Sequence, residues 1–183
     1  PIKSSAASDV YKRQVRVPDD CISAHANQSR IHQFDMNDKE NCIYSPDVVS
    51  FAREKGYFDG VNKDFSFANA YAPLDFGARR YCEARVWSYF NMFTARGNEF
   101  LPYILGDTDT PMPLFVKPNR KISVQDVKNA MRDHYEGTPL DISRDFGAGP
   151  YHTPYRLSPL SFKVGDKEYF NERPISTQQS GFV

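Results

Sequence analysis

Apolar and polar positions follow two different rhythms along this chain. Around a Pro18-Asp19-Asp20 turn, residues 15–17 and 21–26 are short β-compatible runs, and the second gives way to loop chemistry at Asn27. From Ser45 the period lengthens. Ser45 stands where an N-cap belongs, Pro46 suits a first helical turn, Asp47 complements the positive helix start, and Gly56 supplies a left-handed stop. Val48, Val49, Phe51 and Ala52 share one stripe of that helix, which predicts packing against a sheet or another helix. Residues 77–94 predict a second helix, with Ala78, Tyr81, Cys82, Arg85, Val86, Tyr89 and Phe93 on a broad inner face. Arg85 falls within that face. A third helix starts at Ser123, with Asp126 where a capping-box acid would stand. It stops before Gly137 and turns Val124, Val127, Met131 and Tyr135 inward. Residues 160–164, a Gly165-Asp166 turn and residues 168–171 predict a hairpin, and Pro174 precedes a further strand from Ile175. The fold class is α+β.

The two ends differ from this pattern. Residues 1–14 are small and polar without an apolar period, so they are set apart as a non-native or disordered leader. They resemble the translated adaptor that begins many incomplete reads. The last residues stop inside a strand-like run, so residues 15–183 are expected to be the central part of one domain truncated at both ends.

Composition narrows the function classes. A chain of 183 residues is long enough for one buried core, and aromatics at 14% argue for a packed globular protein. Lys plus Arg and Asp plus Glu are 23 each, so no net field favours nucleic acid or an anionic membrane. Apolar runs fall far short of the ~20 residues that cross a bilayer. Three cysteines, Cys21, Cys42 and Cys82, show neither metal-ligand spacing nor an even count, and the compartment stays open.

The generic motifs are weak. Cys21 and His25, four apart on a predicted strand, are too far apart for proton transfer. His134 between Asp133 and Glu136 reads as a helix-closing imidazole rather than a metal ligand. Gly147 and Gly149 lack the strand, helix and Lys-Ser or Lys-Thr pair of a phosphate loop. Neither a metal nor a cofactor is expected.

Longer segments carry more. ISAHANQSRI from Ile22, SPDVVSFAREKGYFDG from Ser45, DFSFANAYAP from Asp64 and RRYCEARVWSYFNMF from Arg79 lie in the first half. MRDHYEGTPLD from Met131, GAGPYHTPYR from Gly147 and FNERPISTQQSGF from Phe170 follow in the second. In this order and spacing they resemble the dipeptidase A family of cysteine peptidases. The resemblance covers nearly all of residues 15–183.

That resemblance implies an N-terminal-nucleophile hydrolase, an αββα sandwich of antiparallel sheets flanked by helices. It implies that processing exposes a cysteine whose own amino group serves as base. The expected function is hydrolysis of dipeptide amide bonds, with a small peptide as partner and room for a homo-oligomer in the full-length protein. The resemblance further implies an asparagine after a strand and an arginine early in a helix around the nucleophile. Asn27 is then the oxyanion donor and Arg85 orients the nucleophile, with Arg80 as runner-up. Asn27 equally suits an Asx turn, and Arg85 a salt bridge to Glu83 or Asp75. Asp75, and Asp64 beside it, are candidates for the free amino end of the substrate, although solvated loop carboxylates fit as well. Tyr151, Tyr155 and Arg156 line a cleft or cover the core, and His152 stands where relatives are expected to carry glycine. The attacking cysteine itself is expected to lie outside these residues, so the chain alone is predicted inactive and poorly folded. An acylamide hydrolase or acyltransferase on the same scaffold, or a non-catalytic binding domain, remain open.

Overall fold

The computed structural model describes residues 13–144, 148, 150–152 and 161–170. Strand β1 (Arg13–Val15) pairs antiparallel with β2 (Cys42–Tyr44), Val15 opposite Cys42. This takes Arg13 and Gln14 out of the leader. The reason is Arg13, whose guanidinium donates to the carbonyls of Ile31, His32 and Gln33 at 3.4, 3.0 and 3.3 Å and lies 3.2 Å above the Phe34 ring. Burial pushes that guanidinium down to about 9.

The expected strand over 21–26 does not form. Only Ile22 bridges, to Val116, while the Ser23 hydroxyl takes the Leu114 carbonyl at 2.9 Å. A single bridge cannot supply the ladder that β structure needs, so the segment runs as loop.

Helix α1 (Val48–Glu54) begins two residues after Pro46, with Asp47 at its N-cap position but no side-chain cap. Gly56 closes it at φ +71°, as the sequence predicts. Val48, Val49 and Ala52 are buried against Phe65, Phe67, Ala70 and Tyr71, and the Tyr71 hydroxyl donates to the Val48 carbonyl. A one-turn 3-10 segment (Asn62–Asp64) leads to α2 (Phe67–Tyr71), a short helix absent from the sequence expectations. Ser66 caps it by accepting from Asn69 N, and its amides at Phe67 and Ala68 reach back to the His32 and Ile31 carbonyls.

The predicted helix over 77–94 is present, with a twist in its construction. Helix α3 (Phe76–Ala78) passes through a π-helical turn (Arg79–Glu83) into α4 (Ala84–Phe93). Every residue from 83 to 88 is buried, so α4 runs through the core rather than along it. Ala84, Val86, Trp87 and Phe90 pack with Phe100, Tyr103 and Ile104 of α5 (Gly97–Leu105), and Met112, Val116, Tyr135, Leu140 and Ile142 close the cluster. Helix α5 also went unpredicted. Pro102 sits inside it and Gly97 opens it, both of which argue locally against a helix. A Cβ at Gly97 would lie 1.6 Å from the Asn91 side-chain oxygen, and the Gly97 carbonyl accepts from Trp87 Nε1 at 2.8 Å. Packing dictates that glycine.

Helix α6 (Val124–Ala130) has the predicted capping box, Ser123 and Asp126 each bonding the other's backbone amide. Its inner face is not the expected one. Val124, Val127 and Met131 are 74%, 40% and 52% exposed, while Ala130 is buried. The helix stops at Ala130, so its period never reaches Tyr135, which instead swings fully into the core from a left-handed φ of +67°. His134 lies beyond the end of this helix, and its Nδ1 sits 2.8 Å from Glu136 Oε1. The hairpin is present as β3 (Ser161–Val164) and β4 (Lys167–Phe170), turning at Gly165 with φ +61°. The strand expected from Ile175 lies outside the described residues. The fold is α+β, with two two-stranded antiparallel sheets among the described residues.

The Ser123 cap is testable. Ser123→Ala is expected to lower stability by about 1 kcal/mol in urea unfolding. Arg120 and Ser123 hold the Asp126 carboxyl below its usual 3.8. A depressed carboxylate stabilises above its unfolded pKa, so this contribution is present at neutral pH and disappears as the pH falls below the ordinary range. Ser123→Ala should therefore cost less at pH 2 than at pH 7.

Candidate active site

Two pieces of chain far apart in sequence meet at the residues singled out above. Asn27 sits on the loop after Ile22 at a left-handed φ of +57°, a conformation asparagine tolerates better than most residues, with its side chain exposed. Arg85 lies on the first turn of α4 and is 5% exposed. Its Nη2 donates to Asn27 Oδ1 at 3.0 Å and reaches the Ala26 carbonyl at 3.5 Å, while its Nε donates to the Tyr81 carbonyl at 2.7 Å. Tyr81 belongs to the π turn, where backbone pairing is shifted by one residue. The expected alternatives for Arg85, ion pairs with Glu83 or Asp75, are not what this guanidinium makes with its Nε and Nη2.

The chemistry of that contact is directional. An asparagine amide whose oxygen accepts from a guanidinium presents its NH2 on the opposite branch, as a donor. Drawing electron density toward a cation strengthens that donor, because successive hydrogen bonds polarise one another. The pair is thus a neutral N–H backed by a buried positive charge, suited to an anion that appears and disappears.

Arg30 and Glu83 hold the two pieces together, and neither was singled out from sequence. Arg30 Nε donates to Glu83 Oε2 at 3.0 Å, with the two side chains 3% and 5% exposed. Its remaining nitrogens donate to the carbonyls of Ala24 (3.2 Å), Met112 (3.3 Å) and Pro113 (3.0 Å). Burial raises the Glu83 carboxyl above its usual value, with Arg30 opposing the shift. Glu83 Oε1 has no hydrogen-bond partner among the described residues, and the residue lines a cavity of about 20 Å³ with Gln28, His32, Asn69 and Tyr103, room for one water. The acid partner lies 53 residues from Arg30, beyond any local pattern. Glu83 did carry a signal: Trp87 and Phe90 stand four and seven residues on, the spacing of an inward-facing position.

The other candidates divide. Asp75 caps α3, its Oδ1 accepting Ala78 N at 2.6 Å, and Asp64 is exposed in the 3-10 turn. Arg80 has its guanidinium 5.9 Å from the Phe76 ring centroid, and burial lowers its pKa. Tyr151 is 90% exposed, whereas Tyr155 and Arg156 lie outside the described residues. His25 is kept below its usual value by burial and the Arg30 charge, which favours neutral imidazole. Cys21, Cys42 and Cys82 form no disulfide among the described residues. Burial and Asp20 push Cys21 up, and burial with Asp38 pushes Cys42 up, the reverse of what a nucleophilic cysteine needs. Among the described residues no three His, Cys, Asp or Glu side chains are grouped to hold a metal ion.

Known proteins match this chain closely. Residues 13–183 fit the model of peptidase family C69. A probable dipeptidase of Salmonella dublin is 35% identical over 170 residues, covering 92% of this chain and 37% of that protein. A probable dipeptidase of Latilactobacillus sakei is 29% identical over 150 residues, 80% of this chain and 29% of that protein. Dipeptidase A of Lactobacillus helveticus is 27% identical over 134 residues, 72% of this chain and 26% of that protein. The chain therefore spans between about a quarter and two fifths of the length of these relatives.

Two outcomes follow from this geometry. Arg30→Met strands the Glu83 carboxylate in the interior and should cost about 3–5 kcal/mol in chemical denaturation, whereas Arg30→Met with Glu83→Leu should cost less. Iodoacetamide should alkylate Cys21 slowly at pH 7, with a rate that keeps rising beyond the usual thiol value of 9.0 before it levels off; fast labelling at pH 7 would contradict the raised thiol.

Proposed function

The chain belongs to peptidase family C69, and from that premise we propose that the whole protein is a dipeptidase using a cysteine thiolate supplied outside these 183 residues. Asn27 and Arg85 form the wall that stabilises the oxyanion. The observation that carries this reading is the 3.0 Å bond from Arg85 Nη2 to Asn27 Oδ1, across 58 residues of sequence. Two further observations favour it. The thiols of Cys21 and Cys42 are raised rather than lowered, and the matched relatives extend well beyond this chain.

The steps are those of acyl transfer. The thiolate attacks the dipeptide carbonyl carbon, and the carbonyl electron pair moves onto oxygen. Asn27 Nδ2–H donates to that oxyanion, and Arg85, bonded to the same amide through its oxygen, meets the rising negative charge without itself leaving the protein interior. The α-amino group of the attacking residue, with a pKa near ~8, takes the thiol proton and delivers it to the leaving amine. Water then attacks the thioester while the same amino group takes its proton, the oxyanion forms and collapses again at the same donor, and the C–S bond breaks to release the acid and regenerate the thiolate. Tyr151, Tyr155 and Arg156 are the residues assigned to contact with the dipeptide, on the strength of the family resemblance. Asp75 keeps its second oxygen for the free amino end. In this reading the described helices and small sheets are one part of an αββα N-terminal-nucleophile sandwich.

In the full-length protein, Asn27→Ala should lower kcat for a dipeptide by about 10²–10³-fold with little change in KM, the loss seen when one oxyanion donor is removed. Cys21→Ser, Cys42→Ser and Cys82→Ser should each keep near-normal kcat. Loss of all turnover in one of these serine variants would sink the claim that the nucleophile lies elsewhere, and preference for acylated amino acids over dipeptides would redirect the reading to an acylamide hydrolase.

A further inference from the structure

Asn27 is exposed, and its neighbour Gln28 ties the loop to the end of α2, its Nε2 donating to the Ala72 carbonyl at 2.5 Å. No helix or strand begins between Ile22 and Cys42, and the backbone of Asn27 is left-handed. Yet its amide meets Arg85 at hydrogen-bonding distance, so some other contact must fix where the loop lies on the helix. Arg30 supplies it. Its Nη1 bond to the Ala24 carbonyl closes a loop of which Asn27 is the middle residue. Its Nε bond to Glu83 ties that loop to the π turn two residues before Arg85. Its Nη2 bonds to the Met112 and Pro113 carbonyls brace the assembly from a third segment, and its guanidinium carbon lies 5.4 Å from the Phe90 ring.

We propose that Arg30 and Glu83 are positioning residues for the oxyanion wall: their buried ion pair sets the register of the 24–30 loop on the helix, so that the Asn27 amide is held against Arg85. The assignment rests on the proposed role of Asn27. A buried ion pair is a poor source of net stability compared with apolar packing, but its directional fork defines a unique arrangement. Both features fit a loop whose tip must be placed closely, since a misplacement of about 1 Å can cost about 10²-fold in rate. Nothing in the pair touches substrate; its effect passes through Asn27.

The test is a double-mutant cycle in the full-length enzyme. Glu83→Gln keeps shape and an acceptor for Arg30 but removes the charge, and Arg30→Lys keeps the charge but removes the fork. Each is expected to lower kcat at least about tenfold with KM within about twofold, and thermal midpoints measured alongside report folding. In the Asn27→Ala background the same substitutions should cost less than about twofold, because the group they position is gone. Equal losses in both backgrounds, or an effect on KM alone, overturn the positioning role. A second readout needs no activity. The side-chain amide resonance of Asn27, identified by its disappearance in Asn27→Ala, should shift in Glu83→Gln, and an unshifted resonance overturns the proposal. Full activity in Asn27→Ala would instead overturn the catalytic role of Asn27, leaving the resonance to decide whether Glu83 places that side chain.

Discussion

A guanidinium taken out of water must have its N–H groups answered, and Arg30 is the place where this fold meets that demand. Four oxygens from three parts of the chain converge on it: Ala24, Glu83, and the adjacent Met112 and Pro113. None of them can drift without leaving a buried donor unsatisfied, which costs far more than a typical hydrogen bond contributes. The helix, the Asn27 loop and the segment before Val116 are therefore a single cooperative unit. The apolar cluster around Trp87 and Phe90 supplies bulk cohesion, but apolar packing is non-directional. Orientation comes from the polar fork.

Arg13 repeats the solution in part at the other end of the same loop, its two terminal nitrogens answered and its buried Nε without a partner among the described residues. It gathers the carbonyls of Ile31, His32 and Gln33 beneath a guanidinium stacked on Phe34. A stretch of chain with no regular secondary structure is thereby clamped on both sides by arginines rather than by a backbone ladder. Arg85 uses the same currency between them, with its charge sunk and its fork turned toward an exposed amide. The result is a rigid irregular loop, suited to presenting one polar group at a surface.

What the sequence made legible was local. Gly56 as a helix stop, the Ser123–Asp126 capping box and the Gly165 turn each depend on residues within a few positions, and each is where the pattern puts it. The adjacency of Asn27 and Arg85 came from resemblance, not from periodicity. The failures have a common cause. The strand over 21–26 needed a partner ladder, the inner face of α6 needed a neighbour, and α5 needed the packing that tolerates Pro102 and forbids a side chain at Gly97. Arg30 went unnoticed and Glu83 entered only as an alternative partner for Arg85, because charged residues are usually solvated and only tertiary structure shows Arg30 and Glu83 facing each other.

The π turn over Arg79–Glu83 has a consequence for how this helix tolerates change. An α-helix turns about 100° per residue, so one extra residue accommodated in a widened coil rotates everything downstream relative to everything upstream. Here that phase offset lets α3 be capped by Asp75 at the surface while the end of the π turn sends Glu83, and the first turn of α4 sends Arg85, to different partners in the interior. Winding the same residues as an unbroken α-helix would keep every side chain of the segment, yet swing the arginine about a quarter-turn off its asparagine. Phase at this point, and not only the identity of the side chains, is part of what the sequence encodes.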